Sequence, residues 1–450
     1  MKWPAPLTVS SLHHQHRILL NRNDSLNGHT RKEVSKGTPK RNAMSLTSYL
    51  RLWLMVFLHY FVWGAWYVTM GTYLNATLKF EGGQIGLAYG STAIGAMVSP
   101  FFAGIVADRF FATQRLLGTL HLIGAVLLYY VSTLKTFGQF YPVLVAYTVS
   151  YMAGHGLTNA LTLHHSENPA KEFPLVMLMG SVGWIVAGIT VSALKFEDNA
   201  GMFRLAAGAA LVMGLYSFTL PHTPPKGAGA PVTARTMLGL DALRLMRDRS
   251  FATFIICSFL ICVPLSFYFS WMNAFMNELK IPNAAAKMTL GQVSDVVFLL
   301  LLPFLLRRLG VKGILILGMI AWMVRFGLLA QFPQTAGAAW MLFVAIAVHG
   351  MCYDYIFVMG RMYVDRGASV EIRAATQGFH AFVTLGAGMF AGSWLSGAVG
   401  QHYTSDGATH AWSRIWLVPA AMSAVLILVF AALFKDSAPR ANPEAAAQSA

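Results

Sequence analysis

Charge is scarce in this chain: Asp, Glu, Lys and Arg make up 11% of its 450 residues, against about 25% in a soluble domain. A soluble surface cannot be covered with so little charge, so most of the chain faces something other than water. Cysteine is nearly absent. Cys257, Cys262 and Cys352 lie within apolar runs without a CxxC spacing, which excludes a thiolate metal site and predicts small buried hydrophobes with no disulfide. Acidic residues are few, 18 against 33 Lys and Arg, for a net charge of +15. The cations sit between apolar runs instead of along one polar face, which argues against nucleic acid as a partner. The G-x-x-x-x-G-K-[ST] phosphate loop is missing, which excludes that route to ATP chemistry.

What is present is apolar. The chain is 56% hydrophobic with mean hydropathy +0.54 and contains 40 glycines, the composition of helices packed closely in a lipid bilayer. Runs long enough to cross a hydrocarbon core occur near 49–73, 84–107, 116–134, 139–163, 174–195 and 202–221. After a break they resume near 251–276, 285–306, 312–332, 337–363, 374–400 and 412–434. The expected organisation is a basic cytosolic tail over 1–48, a six-helix bundle over 49–221, a cytosolic linker over 222–250, a second six-helix bundle over 251–435 and a short tail over 436–450. The first tail has no apolar core of a secretory signal, and Met44, at the edge of the first run, is an alternative start. Pro221, Pro224, Pro225 and Gly227 open the linker, and Met237–Arg249 reads as a short amphipathic surface helix. Arg115, Arg235, Arg244, Arg247, Arg249, Arg307, Arg308, Lys312, Arg366 and Arg373 share a side with the basic tail, whereas the other loops hold single cations such as Lys79, Lys135, Lys195 and Lys280. By the positive-inside rule both termini are cytosolic, and the expected location is the inner (plasma) membrane. Two halves of equal helix number suggest an internal repeat.

Several residues can carry chemistry. Gly104-Ile105-Val106-Ala107-Asp108-Arg109, with Arg115 following, places an acid among cations at a cytosolic loop, where its bonds can close that side in one conformation and break in another. Ionisable groups in the membrane are costly and mark function. Asp295 shares a helix face with Gln292, three residues away. Asp354 lies seven residues, two helical turns, before Arg361. It reads either as a proton carrier or substrate ligand, or as a structural partner of Arg361 or Arg325. For Arg325 the structural role is favoured. His59, His121, His155, His349 and His380 each read as packing histidines, and His164-His165 with Glu167 as a poor metal site. Trp63, Trp66, Trp184, Phe267, Tyr268, Phe269 and Trp271 could line a cavity for a flat ring or populate the membrane interface.

With these residues in place, the chain resembles the nucleoside:proton symporter family of the major facilitator superfamily. The likeness runs from about Leu50 to Phe434 and rests on Trp63-Gly64-Ala65-Trp66, Thr77-Leu78-Lys79-Phe80, the Gly104–Arg109 loop, Gly180-Ser181-Val182-Gly183-Trp184, Leu238-Gly239-Leu240-Asp241-Ala242, Gln292-Val293-Ser294-Asp295, Ala321-Trp322 to Arg325-Phe326 and Arg373-Ala374-Ala375-Thr376-Gln377-Gly378 in this order. It implies an all-α polytopic membrane protein of twelve transmembrane helices and proton-coupled nucleoside uptake by alternating access. The expected protein is not an enzyme, needs no cofactor or metal, and works as a monomer in the lipid bilayer. The resemblance assigns substrate contact to Ser181, Trp184, Ser266, Gln292, Asp295, Tyr353 and Asp354. Proton coupling falls to Asp354 and Asp295, and gating to Gly104, Asp108, Arg109 and Arg115. Four positions depart from the family: Met177 where Arg is usual, Ser266 and Phe269 where Gln and Asn are usual, and Asp295 where the longer Glu occurs. The alternatives are a transporter of another polar solute such as a sugar, an exporter, a transporter-like sensor, or a membrane enzyme built on His164, His165 and Glu167.

Overall fold

The computed structural model describes residues 45–109, 111–225, 239–335, 338–369, 372–405 and 409–435, with the backbone alone at 101–109, 170 and 241. Helix α1 runs Leu46–Gly64 and resumes as Met70–Thr72 and a π-turn, Tyr73–Thr77. It is followed by α2 (Gly82–Arg109), α3 (Thr113–Val131), α4 (Phe137–His165), α5 (Pro169–Ala193), α6 (Gly201–Ser217) and α7 (Arg249–Glu278). A short helix, Ala284–Met288, leads into Leu290–Gln331, which is two rods, α8 and α9, because Gly310 at φ 66 breaks it. Rod α10 comprises Ala339–Ala347, His349–Tyr353, a π-turn Asp354–Val358 and Met359–Gly367. Rod α11 comprises Arg373–Ala381, a π-turn Phe382–Gly388 and Met389–His402, and α12 is Trp412–Leu433. Between them β1 (Thr404–Ser405) and β2 (Thr409–His410) pair antiparallel, Thr404 opposite His410.

Each apolar run of the sequence holds one rod. Among the described residues six stretches are long and apolar enough to cross a membrane, or seven with bent α10, and the double rod Ala284–Gln334 counts once among them. Of the others, α6 has 17 residues, α1 is broken at 65–69, and α4 carries the Thr, Ser and His of a packed interior.

The internal repeat is visible in the neighbours each rod chooses. Helix α1 packs on α5 and α6, α2 on α4, and α3 on α6. Six positions on, α7 packs on α11 and α12, α8 on α10, and α9 on α12. The contacts between halves obey the same offset: α2 meets α11, and the short helix before α8 meets α5. Helix ends repeat too. Lys79, Lys195 and Lys280 stand in the left-handed conformation at φ 59, 56 and 58, just past α1, α5 and α7. The apolar residue after each returns its N–H to the helix end: Phe80 to Leu74 O at 2.9 Å, Phe196 to Val191 O at 2.9 Å and Ile281 to Met276 O at 2.8 Å. Such a cap satisfies last-turn carbonyls and puts a cation at the negative end of the helix dipole.

Two features join the halves at one end. Gly82, Gly86 and Gly90 recur every fourth residue along α2 and admit α11 so closely that a Cβ at Gly86 would lie 2.4 Å from Ser393 O. Nearby, buried Glu197 accepts from Asn273 and Asn277 Nδ2, each at 3.0 Å, and from Ala285 N at 3.1 Å. Thr72 Oγ1 donates to Asn273 Oδ1 at 2.5 Å, and Gln401 binds Glu81 Oε2 and Gly83 N, each at 3.0 Å. In the linker, the expected short amphipathic helix is a 3-10 helix, Leu240–Arg247. It is entered at Gly239, φ 63, where any Cβ would strike Ala375 O, and followed by Asp248, which starts α7 by accepting from Phe251 N at 2.8 Å.

Candidate functional site

Between the halves lies a cavity of about 230 Å³, just below the ~300 Å³ at which drug-sized pockets begin, a size suited to a small metabolite. Close backbone approaches build its walls. Helix α5 meets α1 where a Cβ at Gly183 would lie 2.3 Å from Phe57 O, and a Cβ at Gly180 2.8 Å from the Tyr60 ring. That contact sets Trp184 against Trp63, rings 5.4 Å apart and near perpendicular. Opposite, α10 meets α8 where a Cβ at Gly350 would lie 2.8 Å from Asp295 Cα, and Gly350 N donates to Ser294 Oγ at 3.0 Å. Asp295, Gln292, His349 and Tyr353 thereby face the aromatic wall across the same space.

The cavity is mostly apolar, with few polar groups and two of them unsatisfied. Trp63 Nε1 and Asp295 Oδ1 are buried without a hydrogen-bond partner. A buried orphan donor and a buried orphan acceptor on the wall of one cavity are what a bound polar ligand would complete. Tyr67 and Phe269, rings 5.3 Å apart across the halves, line the cavity as well.

The residues expected from the sequence divide. Ser181, Trp184, Gln292, Asp295 and Tyr353 line the cavity. Ser266 does not: its Oγ donates to Cys262 O at 2.8 Å, behind the lining residue Met389. Asp354 does not line it either. It is 5% exposed, with Oδ2 unpartnered, beside Tyr353 at the start of the α10 π-turn. A π-turn adds a residue to the turn and shifts the register between Asp354 and Arg361. Arg361 Nε donates instead to Phe357 O at 3.3 Å, and no ion pair to Asp354 forms among the described residues. Arg325, 0% exposed, reaches the carbonyls left free where α10 breaks at Val348: Nε donates to Ala345 O at 2.8 Å, and one terminal nitrogen sits 3.1 Å from His349 Nδ1. Its guanidinium lies 4.2 Å over the Tyr268 ring. Trp66 and Trp271 lie in the core, donating to Tyr147 Oη at 3.3 Å and Ser396 O at 3.0 Å.

For the loop after α2, the side chains of Gly104, Asp108 and Arg109 lie outside the described residues, and Arg115 is exposed. His165 Nε2 contacts Thr223 Oγ1 at 2.8 Å. No group of three or more His, Cys, Asp or Glu among the described residues is placed to hold a metal. Sequence reasoning missed Tyr60, Tyr67, His155 and His349 as cavity residues. The spacing of Tyr60, Trp63 and Tyr67 at three and four residues along α1 is the signal that could have found the first two.

Two six-helix halves related by a six-helix offset, with a ligand-sized cavity between them, define a secondary transporter of the major facilitator type. Residues 44–439 match the profile of the nucleoside H+ symporter family. The chain is 36% identical over 400 residues to the putative nucleoside transporter YegT of Escherichia coli, covering 86% of this chain and 94% of that one. It is 32% identical to the Escherichia coli nucleoside permease NupG, covering 86% and 96%. The crystal structure of nucleoside transporter NupG superposes with a TM-score of 0.80 at 31% identity, covering 87% of this chain and all of that one. The chain belongs to the nucleoside H+ symporter family: it is a multi-pass membrane transporter that couples nucleoside uptake to protons.

Proposed function

We propose that the nucleoside binds between the aromatic wall of Trp63 and Trp184 and the polar wall of Ser181, Gln292, Asp295 and Tyr353, with Asp295 and Asp354 carrying the proton. The observation that carries this reading is the pair of unsatisfied groups on opposite walls, Trp63 Nε1 and Asp295 Oδ1. Flat indole faces suit a base, and a carboxylate suits hydroxyl or N–H donors. Gln292 adds one amide, so the set is short of donors and acceptors beside the usual family pocket, in keeping with Met177 and Phe269 at positions that are polar elsewhere. Relatives named nucleoside permease and xanthosine permease support a nucleoside, purine nucleosides included. Of the two carriers, Asp354 stands behind Tyr353 and Asp295 is the one that also touches solute. Ser266 supports the wall through Met389.

The end joined by Glu197 and the α2 glycines is the external side in this reading, and the state described is closed to that side. Asp108, Arg109 and Arg115, after Gly104, form the opposing gate at the cytosolic loop. The protein acts as a monomer in the inner membrane, both termini cytosolic, with bundles over 49–221 and 251–435. Counterflow of labelled uridine and xanthosine into proteoliposomes tests the pocket. Asp295→Asn and Trp184→Ala should each weaken binding about tenfold or more, the scale of one hydrogen bond or stacked ring lost. Unchanged affinity in both would move the site elsewhere.

A further inference from the structure

Three of the histidines within the helices are not isolated. Across α1, α3 and α4, His121 Nδ1 lies 3.0 Å from Leu117 O, His121 Nε2 lies 3.1 Å from His59 Nδ1, His59 Nε2 lies 3.0 Å from His155 Nδ1, and His155 Nε2 lies 3.2 Å from Tyr60 Oη. The far end sets the direction of every bond. A carbonyl oxygen only accepts, so His121 must carry its proton on Nδ1, and in the neutral ring Nε2 is then an acceptor. His59 must therefore donate from Nδ1 and accept at Nε2, His155 must donate from Nδ1, and Tyr60 donates to His155 Nε2. Three neutral imidazoles in one tautomer satisfy all six ring nitrogens.

The chain has a single mouth. His155 lines the transport cavity together with Tyr60, whereas His59 and His121 are buried and do not line it. Packing fixes the rings in register: Tyr151 stacks on His59 at 4.6 Å and 4°, its hydroxyl donates to His59 O at 2.8 Å, and a Cβ at Gly154 would lie 3.2 Å from the His121 ring. The groups facing the rings are Tyr60 and Trp63 on α1, Tyr147 and Tyr151 on α4, and apolar Ala210 from α6. Across the cavity stand Asp295, Tyr353 and His349. No Asp, Glu, Lys or Arg among the described residues hydrogen-bonds any of the three rings.

We propose that His155, His59 and His121 form a second proton-binding site, a store in the N-terminal half that fills and empties through the cavity. A proton reaching His155 Nε2 displaces the Tyr60 hydroxyl hydrogen, which turns away. His155 then passes its Nδ1 proton to His59 Nε2. One proton enters, no electron moves, and the product is neutral His155 protonated on Nε2 beside a His59 imidazolium. Both N–H groups of that imidazolium donate to neighbouring imidazoles, and such charge-assisted bonds offset part of the cost of a buried cation. The backbone carbonyl at Leu117 closes the far end, so the chain stores a proton and does not conduct one across the protein.

This inference deepens the proton-coupled reading of the cavity and rests on it. It is tested with full-length protein carrying ¹⁵N-labelled histidine in nanodiscs, and by transport with His59→Gln, which keeps a polar group at a position outside the cavity but cannot relay. In the wild type the three rings should be Nδ1-protonated near neutrality, couple across their N–H···N bonds, and change together as one protonation on acidification. In H59Q, accumulation driven by a proton gradient should fall about tenfold, the scale of one charge-assisted hydrogen bond lost, while counterflow without a gradient stays near wild type. Three independent titrations in the wild type overturn the store. So does H59Q accumulating solute as the wild type does. If the wild type itself shows no proton-driven accumulation, the coupling reading fails, and the nitrogen spectra of the wild type then decide the store alone.

Discussion

A carboxyl that carries a proton must exist neutral and charged within one cycle, which a fixed ion pair would prevent. Asp354 is buried with Oδ2 unpartnered, and neither Arg361 nor Arg325 bonds to it. Asp354→Asn should therefore fold, retain counterflow of labelled nucleoside, and lose accumulation driven by a proton gradient. A collapse of folded yield would instead reveal a structural partner for a buried cation. Arg325 gives the contrast: Arg325→Ala strands the carbonyl of Ala345 and should lower thermal stability by about 1–3 kcal/mol, read by thermal unfolding in detergent. The intramembrane acids and Arg325 were legible in the sequence because charge in an apolar run stands out. Their partners were not, since the π-turn at Asp354–Val358 changes the register that a period of 3.6 assumes. The histidines at 59, 121 and 155 read singly as packing residues because their bonds link positions 62 and 96 residues apart.

At the scale of elements, α2 and α11 make a close backbone contact between the halves. Three glycines spaced by four bring α2 against Ser393 and Gly397, where a Cβ at Gly86 would lie 2.4 Å from Ser393 O. Gly86→Leu should hold the halves apart at that end and shift the protein toward the externally open state. Glu197→Gln removes a carboxylate that accepts from Asn273, Asn277 and Ala285, charge-assisted bonds of about 1.5–3 kcal/mol each. Spin labels at the exposed positions Lys79 and Lys280 read both changes. Each variant should add a longer-distance population to the wild-type distribution, and an unchanged distribution would refute a role of these contacts in holding the halves together at that end. The rods themselves could be read from hydropathy to within a few residues. The left-handed lysines after α1, α5 and α7 appeared in sequence only as scattered cations, because a cap is defined by backbone angle and not by residue type.

At the largest scale, the described residues from Leu46 on form two copies of one six-helix plan facing each other across the site. The family match begins at residue 44, so deletion of 1–43 should leave membrane insertion and uptake intact, checked by uptake in cells expressing the truncated chain. The six-plus-six architecture was legible from run lengths and the proline-rich break after Leu220. The cavity was only half legible. Tyr60, Tyr67, His155 and His349 come from rods whose mutual rotation is set by helix packing, which no single run encodes. The central claim is that movement of nucleoside is driven by protons through this cavity. Its most direct measurement is accumulation of labelled uridine in proteoliposomes with an imposed inward proton gradient. The wild type should concentrate solute above the external level and lose that excess when a protonophore is added, while Asp354→Asn only equilibrates. Equal accumulation with and without the gradient, or in wild type and Asp354→Asn alike, would contradict the account.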